Sequence, residues 1–473
     1  MGGGGVSRLD AAQTAITLLP PDASGVVIGG PGTGKTEALV GRVARLLASE
    51  SVGVDEVLVL TPTRQTATAL RDRLALVSGL ATPGPLARSV ASFAFQLVRA
   101  VSVQRGDEPP RLLTAPDQDR IIAELLAGDE QDAEHGVSRW PAALGPAVRA
   151  SRSFRAELRA LFAECTERGI GPAELASAGH RLDRESWVAA AEFLTDYSFT
   201  VGAMRAEHRD PAELLREAAA ILATAPAGIA GEALLGPPAR LRAVLVDDAQ
   251  ELTRGGMAML RALRARGVAV LAFGDPDIGS GSFRGASPEL FARLCDSLGT
   301  LHVLDEQHRS TPGLTRITRE VTTAIGASGR VEHRRAPGPE LAPDPRVRTI
   351  LAPSPHEEID RIARALREWH IVDEIPWSQL AVIAHDTRQV GELEVELAAR
   401  EVPTRSSSLS RPLGSEGVVR DLVQLVRLGM SAHDLREPDA LSAALLSPFG
   451  GLDAVGLRRL RARLRHAELA DGG

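Results

Sequence analysis

Lys35 is the only lysine in 473 residues, so 53 of the 54 basic residues are arginine. It closes the stretch Gly29-Gly30-Pro31-Gly32-Thr33-Gly34-Lys35-Thr36, which has the spacing G-x-x-x-x-G-K-[ST] of a phosphate-binding loop. The residue types suit that chemistry. A compact ammonium reaches between phosphates as a point charge, whereas a wide planar guanidinium suits bidentate surface contacts. Backbone N–H groups of Gly30, Pro31's neighbours, Gly32, Thr33 and Gly34 can surround an anion, and the Thr36 hydroxyl is a ligand type for Mg²⁺. ATP with Mg²⁺ is the expected ligand pair.

A second set of reactive groups lies 212 positions further on. The apolar run Ala243-Val244-Leu245-Val246 leads into Asp247-Asp248-Ala249-Gln250. Paired acids at the tip of a buried strand are placed where α/β sheets bind ligands. In a phosphate-loop protein the first acid holds Mg²⁺ and the second orients the attacking water. Gln13, just after the N-cap candidate Asp10, carries an amide that can donate to and accept from an adenine edge; an ordinary surface glutamine is the other reading. Thr61-Pro62-Thr63-Arg64-Gln65 suits nucleic-acid phosphates, and a plain helix-capping turn has the same composition. Arg149, Arg152, Arg155 and Arg159 either line a groove or solvate a helix face, the plainer choice.

The elements that must position these groups follow from periodicity. Strands are expected over 26–28, 57–60, 243–246, 268–273 and 301–304, with helices over 10–16, 36–47 and 66–76. Residues 90–97 read as a strand or a strand-to-helix segment. Helical periodicity dominates 106–234, and such an insertion accounts for the wide gap between Lys35 and Asp247. A second α/β unit is expected beyond Thr311, with strands over 347–351 and 380–384, helices over 357–369 and 390–400, and a linker over 336–345. Helices over 418–428 and 440–465 follow.

Composition sets the outer limits. With 44% hydrophobic residues the chain can fill the cores of two to four domains. No apolar run approaches the roughly 20 residues of a membrane span, so no membrane partner is expected. The Met1–Gly5 stretch reads as a flexible lead rather than a signal peptide. Cys165 and Cys295 have neither a disulfide framework nor metal-ligand spacing, and a cytoplasmic location follows. The net charge of −7 means that any nucleic-acid site is a local groove. Aromatic residues are 3%, so base stacking rests on few rings.

Taken in order, these motifs resemble superfamily 1 DNA helicases of the UvrD/Rep/PcrA type, and among them the motor part of the actinobacterial AdnA/AdnB helicase–nuclease subunits. Gln13 lies where that family has its adenine-reading Q motif, and Gly30 to Thr36 matches its Walker A loop. Thr61 to Ala67 and Ser92-Phe93 resemble its single-strand contacts. Asp247 to Gln250 corresponds to its D-E-x-Q box, Gly274-Asp275 with Phe283 to Ala286 to its motif III, and Gln307 to Thr311 to its motif IV. The resemblance implies an α/β P-loop NTPase with two RecA-like parallel-sheet lobes and helical insertions. Residues 6–105 and 235–304 would form lobe 1, 106–234 its helical insertion, 305–411 an incomplete lobe 2, and 412–473 the start of another helical insertion. It also implies ATP-driven helicase or translocase activity on single-stranded or duplex-junction DNA in repair or recombination. Lys35, Asp247, Asp248 and Arg309 would be catalytic, Gln250 would join the nucleotide contacts, and Thr36 and Asp247 would hold Mg²⁺. A helicase–nuclease partner subunit is the expected protein partner.

The sequence departs from the family pattern at four places. Asp248 stands for a glutamate and is shorter by one methylene, about 1.5 Å of reach. Ile278 stands for the glutamine that couples the γ-phosphate to DNA, while His308 and Phe283 replace a tyrosine and a tryptophan. The chain also ends before anything like the family's motifs V and VI. The alternative function is therefore a nucleotide-binding structural or regulatory subunit, or a truncated motor, without autonomous unwinding.

Overall fold

The computed structural model describes residues 9–49, 52–79, 84–203, 208–279, 285–326, 329–335, 347–405, 417–432 and 436–470. By contact the chain divides into residues 1–347 and 348–473. The expected lobe boundary at 304/305 therefore falls inside the first unit.

The first unit is built on six parallel strands: β1 (Gly25–Gly29), β2 (Val57–Thr61), β3 (Ala87–Ser89), β6 (Ala243–Val246), β7 (Ala269–Gly274) and β8 (Leu301–Leu304). Their spatial order is β3-β2-β6-β7-β1-β8. Val26 pairs with Ala272 on one side and Leu301 on the other. Strands covered on both faces read as continuous apolar runs, and β1, β2, β6 and β7 are buried at every position. Alternate residues feed two cores. Val26, Ile28, Leu58, Leu60, Val244 and Val246 face one layer, while Val27, Val59, Leu245, Leu271 and Phe273 face the other.

The second of these layers contains α1 (Ala11–Thr17), α2 (Lys35–Ala48) and α3 (Arg64–Ser78). The first contains α4 (Val90–Arg105), which replaces the strand considered for 90–97. Ser89 caps it through the Ser92 N–H, and Val90, Phe93, Ala94, Leu97, Val98 and Val101 form one buried stripe. Helical spacing outweighed the short apolar run.

The insertion opens and closes on a two-strand pair, β4 (Arg111–Leu112) with β5 (His208–Arg209). Between them lie α5 (Ala115–Glu134), α6 (Pro146–Arg149), α7 (Arg152–Arg168), α8 (Pro172–Arg181) and α9 (Glu185–Ala203). They share a separate core containing Trp140, Phe154, Phe162, Phe193 and Tyr197. The Trp140 and Phe154 rings meet edge-on at 5.3 Å. The next helices, α10 (Pro211–Thr224) and α11 (Gly228–Leu235), contribute to the sheet core instead. The self-packed part of the 106–234 segment is thus shorter than its helical periodicity implied. α12 (Arg254–Ala265), α13 (Pro288–Leu298) and α14 (Pro312–Ile325) complete the unit's longer helices.

The second unit contains α15 (Pro355–Ile371) and α16 (Thr387–Ala398), packed through Ala363, Leu366, Leu393, Leu397 and Val402. It also contains α17 (Gly417–Met430), α18 (Pro438–Leu446) and α19 (Ala454–Ala470). The strands expected over 347–351 and 380–384 are not formed among the described residues. An apolar run becomes a parallel strand only with neighbours to pair and cover it, and here Leu351 and Ile383 are 82% and 95% exposed. The linker over 336–345 and the lead Met1–Gly5 lie outside the described residues, as do Phe283 and Arg284. No helix among the described residues is long and apolar enough to cross a membrane.

Candidate nucleotide-binding site

The carboxyl ends of β1, β6 and β7 lie side by side and bring the phosphate loop together with the acidic groups. β1 stops at Gly29 and α2 begins at Lys35. Gly32 and Gly34 take φ of +86° and +78°, the left-handed region that favours glycine. No side chain caps α2, which leaves its first-turn amides and the positive end of its dipole to an anion. Thr33 is buried and its hydroxyl donates to Gly30 O at 2.8 Å, tightening the loop.

The Lys35 ammonium folds back on this loop. It donates to Gly29 O at 2.7 Å and Gly30 O at 3.0 Å, and stands 3.9 Å from Asp275. Burial holds its pKa below the ordinary lysine value, against the opposing pull of Asp275, Asp248 and Asp247; the Arg309 charge adds to the lowering. The Thr36 hydroxyl donates to Asp247 Oδ2 at 3.2 Å. Burial, then the neighbouring Asp248, pushes the Asp247 carboxyl up to about 6. A hydroxyl beside a buried carboxylate that lacks a strong counter-charge is an oxygen donor set fitting Mg²⁺.

Asp248 has φ of +49°, an unusual backbone state for a residue with a side chain. Its N–H donates to Asp247 Oδ1 at 3.2 Å, and Gln250 Nε2 donates to Asp248 Oδ1 at 3.3 Å. The other end of the Gln250 amide accepts from the Asp275 N–H at 3.1 Å. Gln250 therefore ties the acid box to the end of β7.

Gln13 is buried, not a surface residue. Asp10 caps α1, and the Gln13 side chain accepts from the Asp10 N–H at 3.0 Å in a capping box. Gln13 Nε2 donates to Thr33 O at 3.2 Å, so the residue touches the phosphate loop directly. The segment after β8 leans on the same loop. The His308 N–H donates to Gly32 O at 3.0 Å, and His308 Nε2 lies 2.7 Å from Asp10 Oδ2. Arg309 is exposed, with its Cβ 3.3 Å from where a Gly32 Cβ would stand.

Residues 9–298, more than half of the chain, match the model of the UvrD/REP helicase N-terminal domain. The chain belongs to the UvrD/REP helicase family. It is 26% identical over 491 aligned residues to the ATP-dependent DNA helicase UvrD2 of Mycobacterium tuberculosis, covering 98% of this chain and 65% of that relative. It is 25% identical over 297 residues to DNA helicase II of Escherichia coli, covering 62% of this chain and 37% of the relative. A shorter match of 54 residues, 41% identical, links it to UvrD1 of Mycobacterium leprae, covering 11% of this chain and 7% of that relative. The chain thus spans 65% of the length of UvrD2.

Other sequence-level sites of this UvrD/REP chain divide by environment. Thr61 donates to Thr63 O and Thr63 caps α3, so the capping turn exists. Phe93 is buried in the sheet core. Arg149 pairs with Glu130, Arg155 with Asp119 at 3.0 Å, and Arg159 donates to Ala115 O at 2.9 Å; only Arg152 of the four is exposed. Ile278 is exposed and its side chain carries no polar atom.

A group with no sequence signal closes the site from below. His333 and Arg334, in the turn Glu332–Arg335, reach Asp277. His333 Nε2 is 2.7 Å from Asp277 Oδ2, and Arg334 Nε donates to both Asp277 oxygens at 3.0 and 2.8 Å. Asp275, Asp277 and His333 are close enough together to share a metal. Charge argues against one. Lys35 and Arg334 already offset the two carboxylates, leaving no negative charge for a divalent ion. Spacing cannot reveal this group, because its halves are 56 residues apart and meet only through the packing of the chain beyond β8.

Proposed function

We propose that this chain is the motor portion of an ATP-dependent DNA helicase or translocase of the UvrD type, acting on single-stranded or duplex-junction DNA in repair or recombination. The observation that carries this reading is the meeting of Lys35, the Thr36–Asp247 pair and the Gln250-held Asp248 at one edge of a parallel sheet. Nucleotide phosphates would take the open amides of α2, with Lys35 turning from Gly29 and Gly30 towards them. Thr36 and Asp247 would hold Mg²⁺, which when bound neutralises phosphate charge. Asp248 would orient the attacking water, with Gln250 fixing its carboxylate, and Arg309 would face the γ-phosphate. Gln13 would read the adenine while keeping its contact with the loop.

In this reading residues 6–105 and 235–304 form the ATP-binding lobe and 106–234 its helical insertion. Residues 305–411 belong to a second lobe and 412–473 to a further insertion. The AdnA/AdnB likeness adds a helicase–nuclease partner subunit, and the cysteine content suggests a cytoplasmic location. A second reading, a nucleotide-binding structural or regulatory subunit, is favoured by the short Asp248 and the apolar Ile278. ATP hydrolysis with and without single-stranded DNA separates the two. The motor requires DNA-stimulated turnover that Lys35→Ala abolishes; nucleotide binding with no turnover in either condition refutes it.

A further inference from the structure

The buried acid at the end of β7 has an unfilled bonding position. Asp275 is 1% exposed, and among the described residues its Oδ2 accepts no hydrogen bond. That oxygen faces the Lys35 ammonium across 3.9 Å, too far for a hydrogen bond and close enough for strong Coulomb attraction at low dielectric. The carboxylate cannot follow the lysine if it leaves. Its Oδ1 accepts from the Asp277 N–H at 3.0 Å, its backbone N–H is held by Gln250, and Asp277 is fixed by Arg334 and His333. His333 Nε2 also lies 3.7 Å from Asp275 Oδ1. Lys35, by contrast, ends a flexible stem and is held by two loop carbonyls.

We propose that Asp275 is a positioning residue that restrains Lys35 before nucleotide binds, so that a triphosphate must draw the ammonium away from a carboxylate that stays behind. This rests on the nucleotide-binding reading above. Nucleotide affinity is then set by a competition between the phosphates and Asp275 for a single cation. Because Gln250 joins the Asp275 N–H to the Asp248 carboxylate, the restraint is also connected to the acid box.

Asp275→Asn removes the charge and keeps an oxygen to accept from the Asp277 N–H; Asp275→Ser is a second variant of the same kind. Binding of Mg²⁺–ATP is measured by titration calorimetry on the full chain, with Lys35→Ala as the control for lost binding. Thermal midpoints are recorded with and without nucleotide. Tighter binding by about tenfold, a coupling of ordinary size, is expected in the Asp275 variants. Their nucleotide-induced rise in midpoint should exceed that of the unsubstituted protein, even where the free protein melts lower. A merely structural Asp275 would weaken binding and lower both midpoints together. Unchanged or weaker ATP binding in whichever variant folds overturns the restraint and leaves the nucleotide site standing. If neither the unsubstituted protein nor the variants bind ATP, the restraint and the function reading both fail.

Discussion

Gly34→Ala tests whether the phosphate loop is held by its contact with α1. Gly34 sits at φ +78° and ψ 30°, where a side chain adds about 1–2 kcal/mol of backbone strain. A Cβ there would stand 2.2 Å from Gln13 Nε2, so the glutamine must leave. It would give up its bond to Thr33 O and its half of the capping box, each a net contribution of about 1 kcal/mol. The substitution should therefore destabilise the first unit by about 3 kcal/mol and lower the thermal midpoint by roughly 6 °C. Gln13→Ala alone should lose only the two hydrogen bonds. Because Gly34→Ala already forfeits them, the double variant should be more stable than simple addition predicts, by about 2 kcal/mol. Circular dichroism melts of the four proteins provide the cycle. A Gly34→Ala midpoint within 1 °C of the parent, or strict additivity in the cycle, would refute the contact as the origin of the loop's shape.

Two further predictions concern the acids. Asp248→Glu extends the carboxylate by about 1.5 Å and should raise DNA-stimulated turnover about tenfold; an unchanged kcat would place the limit at another step. Asp247 has a folded-state pKa raised to about 6 from its usual 3.8. The stability it contributes is thus present below the unfolded value and lost as pH rises through 6. If the ionised carboxylate is the ligand for Mg²⁺, as proposed above, the stabilisation conferred by Mg²⁺–ATP should grow between pH 5 and 7. Melting curves across that range that show a pH-independent shift would count against Asp247 as the ligand.

The legible parts of this fold were those where one local signal coincides with one tertiary outcome. Valine-rich runs became central strands because burial on both faces is what those residues satisfy, and Asp10 capped its helix because capping is decided within four residues. Residues 90–97 were ambiguous for the opposite reason: the same apolar residues fit a strand or a helix stripe until Ser89 supplied a cap. The runs at 347–351 and 380–384 show the limit of such signals, since a strand depends on neighbours that its own residues do not specify. At the site, glycine spacing and paired acids were readable. The double use of Gln250, the burial of Gln13 and the closure by His333 and Arg334 were not, because each depends on which distant backbone atom lies within reach.

One carboxylate of the insertion reaches the helix that follows the acid box. Glu167, near the end of α7, accepts from the Gly255 N–H at 2.6 Å in the first turn of α12, and burial pushes its pKa up. That turn begins four residues after Gln250. A swing of the helical insertion that withdraws Glu167 would strip a hydrogen bond from the α12 amide and loosen the backbone leading back to Asp248. Glu167 therefore joins the insertion to the backbone that follows the acid box.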